Sequence, residues 1–314
     1  MLRELRGAIS ALALAVCGVL VAVSFDLGIS GQSLLQSLRF HIAAALLGLV
    51  VLLFISRAWW RGLLFLVVFA ASAAEGAVIV YKQQEVRIEA AAKGSRPLFR
   101  LLSFNLLNTN PNGAEIADFV IASGADVVML MEAQPVADQR DKLLAVYPYL
   151  AGCDVDRNSC DTVILSKTPL TDIAVRSLSS VWRTRLVTAA TIIDGTRVNL
   201  VLAHLVKPYF DEFAAEETYR LAKAIKAMPG PLLLAGDFNS AAWSDNINRL
   251  AGWEGLAPGP FYPATWPVRL GPLGVPIDNV FTRPPLVIEQ VHSMEDAMGS
   301  NHRGLISEIS LAGS

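Results

Sequence analysis

Three long apolar runs open the chain, at 7–25, 42–55 and 62–81. The first carries no charge, the second extends back as far as Leu38 with Arg39 and His41 at its edge, and the third is broken only by Glu75. A helix needs roughly 20 mostly apolar residues to cross a bilayer. The first and third runs are therefore predicted spans, and the shorter middle run a third. Arg3 and Arg6, and then Arg57 and Arg61, flank these runs on what is expected to be the cytoplasmic side, with Trp59 and Trp60 in the aromatic belt. Three spans put everything after Tyr81 on the outer side; a middle run lying in the interface gives two spans and a cytoplasmic remainder. A cleaved leader fits poorly, because no small-x-small site follows the first run and two more apolar runs do. Glu75 has no evident partner in the sequence and reads as a packing or snorkelling carboxylate.

After a polar connector at 82–96, the pattern changes to apolar runs of strand length at 99–104, 127–131, 162–165, 187–193, 198–203, 232–235, 279–281 and 305–311. Helical stretches are predicted at 114–123, 136–146 and 211–228. Continuous apolar strands indicate burial on both faces, hence sheets packed on each other and covered by helices. The predicted organisation is a membrane region over 1–81, the connector, and one domain over 97–314.

Composition sharpens this division. The chain is 53% hydrophobic and 17% charged, with a mean hydropathy of +0.45, too apolar for an ordinary soluble protein throughout. Only eight charged side chains fall in the first 81 residues, and the remainder has an ordinary soluble density. Three cysteines exclude a disulfide scaffold; Cys17 reads as a core thiol, and Cys153 and Cys160 suit a local disulfide if the domain is exported.

Unusual polar residues fall at the ends of the apolar runs. Asn105, Glu132 and His204 each end one; Asp237 and Asn239 follow another; Asp278 and His302 precede two more. Singly, each reads as a turn residue. Together, at strand ends that gather along a sheet edge, they make a candidate pocket. Carboxylate and carboxamide oxygens suit a hard cation such as Mg²⁺ or Mn²⁺, and an added imidazole base suits hydrolysis of a phosphate ester. No Gly-x-Ser-x-Gly elbow supports a serine hydrolase.

The ordered series Ser103-Phe104-Asn105, Met131-Glu132, Ala203-His204-Leu205 with Pro208, Gly236-Asp237-Phe238-Asn239, Ile277-Asp278 and Ser300-Asn301-His302-Arg303 resembles the endonuclease/exonuclease/phosphatase superfamily, of DNase I-like fold. With the apolar first part and Pro263-Ala264-Thr265-Trp266-Pro267, the chain is similar to the bacterial membrane-anchored subgroup. The resemblance implies an α/β (α+β) four-layered sandwich, two mixed β-sheets flanked by helices, behind an N-terminal transmembrane helical region of a bacterial inner membrane. It implies Glu132 as the principal metal ligand with Asn105 beside it, and His204 on a phosphoryl oxygen. It further implies Asp237 and Asn239 on the nucleophilic water and phosphate, and His302 as general base oriented by Asp278. Asn301 is carried over as a further metal residue where the family usually has aspartate; its amide can coordinate a cation but brings no negative charge.

The substrate class is less defined by the sequence. With a net charge of −2 and no long basic run, the chain lacks the stripe of a duplex-gripping nuclease. Arg183, Arg185, Lys207 and Arg303 are candidate phosphate contacts, and Trp243, Phe261, Tyr262 and Trp266 candidate pocket aromatics. The leading expectation is a membrane-anchored, outward-facing phosphodiesterase acting on a lipid headgroup or small phosphodiester. The alternatives are a nuclease acting on exogenous nucleic acid and a weakened phosphate sensor. No protein partner is read from the sequence.

Overall fold

The computed structural model describes residues 1–25, 27, 29, 31–153 and 161–313. Its first part is four helices: α1 (Leu2–Ser24), a short α2 (Gln32–Ser37), α3 (Arg39–Ile55) and α4 (Trp59–Ala91). α1 and α4 are long and apolar enough to cross a membrane, whereas α3 has 17 residues. Their outward faces are apolar: Leu14, Leu64 and Val67 are each more than 60% exposed. Glu75 does have a partner. The Arg39 side chain, only 2% exposed, approaches it at 3.0 Å and donates a second bond to the Val23 carbonyl at 3.2 Å, tying α1, α3 and α4 together. Gly76 makes room for this, since a Cβ there would meet the Phe40 ring at 2.9 Å. The connector at 82–96 is mostly helix, because α4 continues unbroken through Ala91.

Two six-stranded mixed sheets follow. The first contains β1 (Ser95–Asn105), β2 (Val127–Met131), β3 (Tyr149–Gly152), β4 (Thr162–Ser166), β11 (Leu286–Ser293) and β12 (Leu305–Ala312), in the order β11-β12-β1-β2-β4-β3. The second contains β5 (Leu170–Arg176), β6 (Leu186–Ile193), β7 (Thr196–His204), β8 (Leu232–Asp237), β9 (Ala257–Pro258) and β10 (Asp278–Arg283), in the order β5-β6-β7-β8-β10-β9. Between the sheets lies an apolar layer in which Leu101, Val127 and Met129 meet Leu200, Leu202 and Leu233. A second layer, around Ile116, Val120 and Tyr147, seats α5 (Gly113–Ala122) and α6 (Arg140–Leu144) on the first sheet. A third, around Leu221, Ile225 and Leu250, seats α7 (Asp211–Lys226) and α8 (Asp245–Glu254) on the other. The result is helix, sheet, sheet, helix: the expected four-layered sandwich.

Register brings the polar ends together. β1 and β2 run parallel with Asn105 opposite Met131, so Asn105 and Glu132 leave the sheet side by side. In the second sheet His204 is opposite Asp237 across the parallel β7–β8 pair, and Asp278 is opposite Asp237 across the antiparallel β8–β10 pair. β12 runs antiparallel to β1, with Leu305 opposite Ser103, so His302 approaches the same edge from the loop before it.

Candidate active site

The two sheet edges meet at Asn105. Its buried amide donates to Glu132 Oε1 at 3.2 Å and, across the gap between the sheets, to Asp237 Oδ2 at 3.0 Å, while its oxygen accepts the Leu107 N–H at 3.0 Å. Glu132 turns out of β2 with φ +50°, and its other oxygen accepts the Asn108 N–H at 2.7 Å. A left-handed glutamate is strained backbone held by its surroundings, a frequent mark of functional positions. Asn239, also at φ +50°, accepts no such cost as asparagine; its amide holds the Leu205 carbonyl at 2.9 Å, and its N–H caps Asp237 Oδ1 at 2.8 Å.

Two imidazoles face Asp237 from opposite sides. His302 Nδ1 donates to Asp278 Oδ2 at 2.9 Å and its Nε2 lies 3.8 Å from Asp237 Oδ2. His204 Nδ1 donates to both oxygens of Asp161 at 3.1 Å and its Nε2 lies 3.7 Å from Asp237 Oδ2. The carboxylate partners only accept, which fixes both Nδ1 atoms as donors. Burial opposes the charged form of His302, but Asp278 and Asp237 outweigh it and push its pKa up to about 9. Burial likewise opposes protonated His204, and Asp161 overcomes it to hold that pKa above the ordinary imidazole value. Asp237, buried and beside Asp278, has its carboxyl raised. For Asp161, burial is outweighed by His204 and Arg185, which hold the carboxyl below the usual carboxylate range.

The donor set fits a hard divalent cation. Asp237, Asp278 and His302 each offer a ligand atom within 4.8 Å of the others, and Asp278 Oδ1 is buried without a hydrogen-bond partner among the described residues. Glu132 is linked to this group through Asn105, and oxygen ligands of this kind suit Mg²⁺-like ions.

The cleft above these groups has a volume of about 870 Å³. Glu132, His204, Asp237, Asn239 and His302 line it, and Asn301 lies at its exposed rim with its carbonyl accepting the Val268 N–H at 3.3 Å. Of two expected phosphate contacts, Arg185 and Arg303, one lies outside the cleft. Arg303 is absent from the cleft lining, because its guanidinium donates to the Met294 and Glu295 carbonyls at 3.2 and 3.0 Å. Arg185 does line the cleft but is engaged by Asp161 at 2.8 Å and sits over the Trp182 ring. Of the expected aromatics, Trp266 lines the cleft, while Trp243 is buried and donates its indole N–H to the Gln36 carbonyl at 3.1 Å. The pairing of Cys153 with Cys160 falls on a residue outside those described.

Asp161 was not among the sequence candidates. It stands immediately before β4, whose antiparallel pairing puts Thr162 opposite Met131, so it emerges beside Glu132. The strand-end rule that found Asp278 and His302 finds it too when applied to the start of an antiparallel strand.

Gly236 sets the β7–β8 junction. At φ +149° its position for a Cβ lies 1.8 Å from the Ala203 carbonyl oxygen, so no side chain fits between the ends of β7 and β8. Gly236→Ala is expected to lower unfolding stability by about 3 kcal/mol or more. Gly252→Ala, in α8 with open space around it, should be neutral or stabilising by roughly 0.5–1 kcal/mol. Urea unfolding of both variants checks the pair.

The fold is thus a two-sheet α/β sandwich with paired carboxylate–imidazole groups at one edge. The chain belongs to the Endonuclease/Exonuclease/phosphatase family, whose profile matches residues 102–302. No curated protein matches it. Among solved structures, it is similar to the endonuclease/exonuclease/phosphatase from Beutenbergia cavernae DSM 12333, at 21% identity and a TM-score of 0.57, covering 69% of this chain and 72% of that one. It is also similar to D. rerio TDP2 complexed with single strand DNA product, at 18% identity and a TM-score of 0.55, covering 67% and 98%. Sphingomyelinase C from Streptomyces griseocarneus matches at 18% identity and a TM-score of 0.51, covering 68% and 99%. These likenesses establish the shared fold.

Proposed function

We propose that this chain is a membrane-anchored, divalent-metal-dependent phosphodiester hydrolase, with residues 1–81 as its membrane region, 82–96 as connector and 97–314 as an outward-facing catalytic domain. The observation that carries it is the buried His302–Asp278 pair, 2.9 Å apart, aimed at Asp237 in a cleft also lined by Glu132. His302 Nε2 takes the proton of an attacking water, and Asp278 holds the ring in the tautomer that leaves Nε2 free. Asp237 and Asn239 orient the water and the phosphate. His204, held by Asp161, presents Nε2 to a phosphoryl oxygen. Glu132, with Asn105 and Asp237, would hold a Mg²⁺ or Mn²⁺ ion, which neutralises charge on the phosphoryl oxygens.

The His302–Asp278 bond, which fixes the tautomer that turns Nε2 towards the cleft, favours diester hydrolysis over simple phosphate sensing. A nuclease reading draws on the TDP2 likeness, but in the cleft only Arg183 and Lys207 lack a carboxylate partner among the described residues. The full chain in detergent should hydrolyse bis(4-nitrophenyl) phosphate with Mg²⁺ and stop when EDTA is added. Absence of turnover by folded protein at saturating Mg²⁺ rejects the hydrolase reading. A steep loss of single-stranded DNA cleavage between 50 and 200 mM salt, with DNA the better substrate, would favour the nuclease. For sidedness, a C-terminal reporter that works only outside the cytoplasm should be active in cells.

A further inference from the structure

The cleft is not built by the sheets alone. Leu34, Ser37 and Leu38 line it, and they belong to α2 and the residue after it, in the segment that joins the apolar helices α1 and α3. This segment is bonded to the loop that carries Asp237 and Asn239. Ser37 Oγ accepts the Ala241 N–H at 2.9 Å, and the Gln36 amide donates to Asp245 at 2.6 Å. Leu38 and Phe40, with Ile79 and Val80 of α4, pack on buried Trp243, Val275 and Ile277, the last of which adjoins Asp278. The segments that carry Asp237 and Asp278 therefore rest on the apolar helices.

Depth follows from helix geometry. At 1.5 Å per residue, a hydrocarbon layer of about 30 Å takes about 20 residues. Counted from Trp59, the layer ends near Ile79–Tyr81, where α4 meets Trp243 and Val275. One turn further, Gln83 donates to the Ala242 carbonyl at 2.7 Å and to Asn248 at 2.9 Å, and Gln84 donates to the Gly259 carbonyl at 2.8 Å. Arg39 at the start of α3 bonds Glu75 and the Val23 carbonyl near the end of α1, and Leu38 shares one apolar cluster with Ile79 and Val80, so the α2 wall of the cleft lies beside the end of this layer, at headgroup depth.

The rest of the rim has the matching character. Val181, Tyr209 and Phe210 line the cleft and are 56%, 49% and 39% exposed. Leu273 is 71% exposed, and its carbonyl accepts a bond from His41 in the first turn of α3 at 3.0 Å. Arg183 and Lys207 line the same cleft and supply cations beside these apolar side chains. Cations over exposed apolar side chains at the membrane surface suit a phosphate carried by acyl chains.

We infer that the substrate is a phosphodiester lipid of the same membrane, drawn headgroup-first into the cleft past α2 while its chains stay in the bilayer; this rests on the hydrolase and membrane readings above. Water oxygen bonds to phosphorus and the bond from phosphorus to the diacylglycerol oxygen breaks. The water proton passes to His302, a proton from solvent ends on the departing diacylglycerol oxygen, His302 returns its proton to solvent, and diacylglycerol and a headgroup phosphomonoester leave.

The test uses the full chain reconstituted in vesicles of phosphatidylglycerol diluted with a phosphate-free glycolipid, with Mg²⁺ present. Turnover per protein should fall about tenfold when phosphatidylglycerol is diluted tenfold within the bilayer, and stay constant when the whole suspension is diluted tenfold. Leu34→Glu, which puts a charge on the α2 wall, should lower the ratio of lipid to bis(4-nitrophenyl) phosphate hydrolysis by about tenfold. Hydrolysis of the soluble diester without turnover of the lipid overturns the lipid assignment and leaves the hydrolase reading standing. Faster cleavage of a single-stranded oligonucleotide than of the lipid also overturns it. Failure of both the soluble diester and the lipid overturns the hydrolase reading itself. A ratio unmoved by Leu34→Glu removes α2 from substrate entry and overturns the proposal.

Discussion

Replacing His302 with alanine is expected to lower kcat for phosphodiester hydrolysis by about 10²–10⁴-fold, the usual worth of a positioned general base. His302 is buried and bonded to Asp278, so a thermal melt of the variant separates lost catalysis from lost fold. The pH dependence supplies an independent readout. A base works in its neutral form, so activity should rise with pH through the His302 pKa, which Asp278 and Asp237 push up to about 9 against the effect of burial. A cation bound beside these carboxylates disfavours the imidazolium and moves the rising limb to lower pH. Asp278→Asn removes the strongest upward influence, so its limb should move to acid by about one unit or more, with a lower plateau rate. A limb that stays put in Asp278→Asn would mean that another group is being titrated.

Glu132→Gln is the second large effect. The amide keeps the shape that accepts the Asn108 N–H and meets Asn105, but removes the charge that a cation needs. Apparent Mg²⁺ affinity is expected to fall by about 100-fold or more, given that even outer-shell changes cost 10–100-fold. Rates in the variant should recover partly at high Mg²⁺, and calorimetric Mg²⁺ binding should weaken in parallel. Unchanged Mg²⁺ dependence would remove Glu132 from the metal site.

The fold was legible where burial was complete. All eight apolar runs became inner strands, because a strand paired on both sides and covered on both faces must be apolar throughout. The four strands not anticipated, β3, β5, β9 and β11, are the four sheet edges. β5 shows why: Leu170 and Ala174 are half-buried and the rest of Leu170–Arg176 is exposed, so its sequence carries no continuous apolar signal. α8 was missed because Asp245–Glu254 is polar on average and buries only Ile247, Leu250 and Ala251. The site was legible in its acids and imidazoles, since strand ends concentrate at one edge. What the sequence could not show was pairing. Nothing in it joins Glu75 to Arg39, Asp161 to His204 and Arg185, or the Arg303 guanidinium to two backbone carbonyls. These are long-range contacts set by packing, and they decide which charges remain available to a substrate.

The most direct measurement is the initial rate of bis(4-nitrophenyl) phosphate hydrolysis against Mg²⁺ concentration, for the full chain and His302→Ala side by side. The expected result is a saturable Mg²⁺ dependence in both, with a plateau at saturating Mg²⁺ about 100-fold or more lower in the variant. Equal plateaus, with both proteins folded, would contradict the assignment of His302 as the base and with it the catalytic reading of the site.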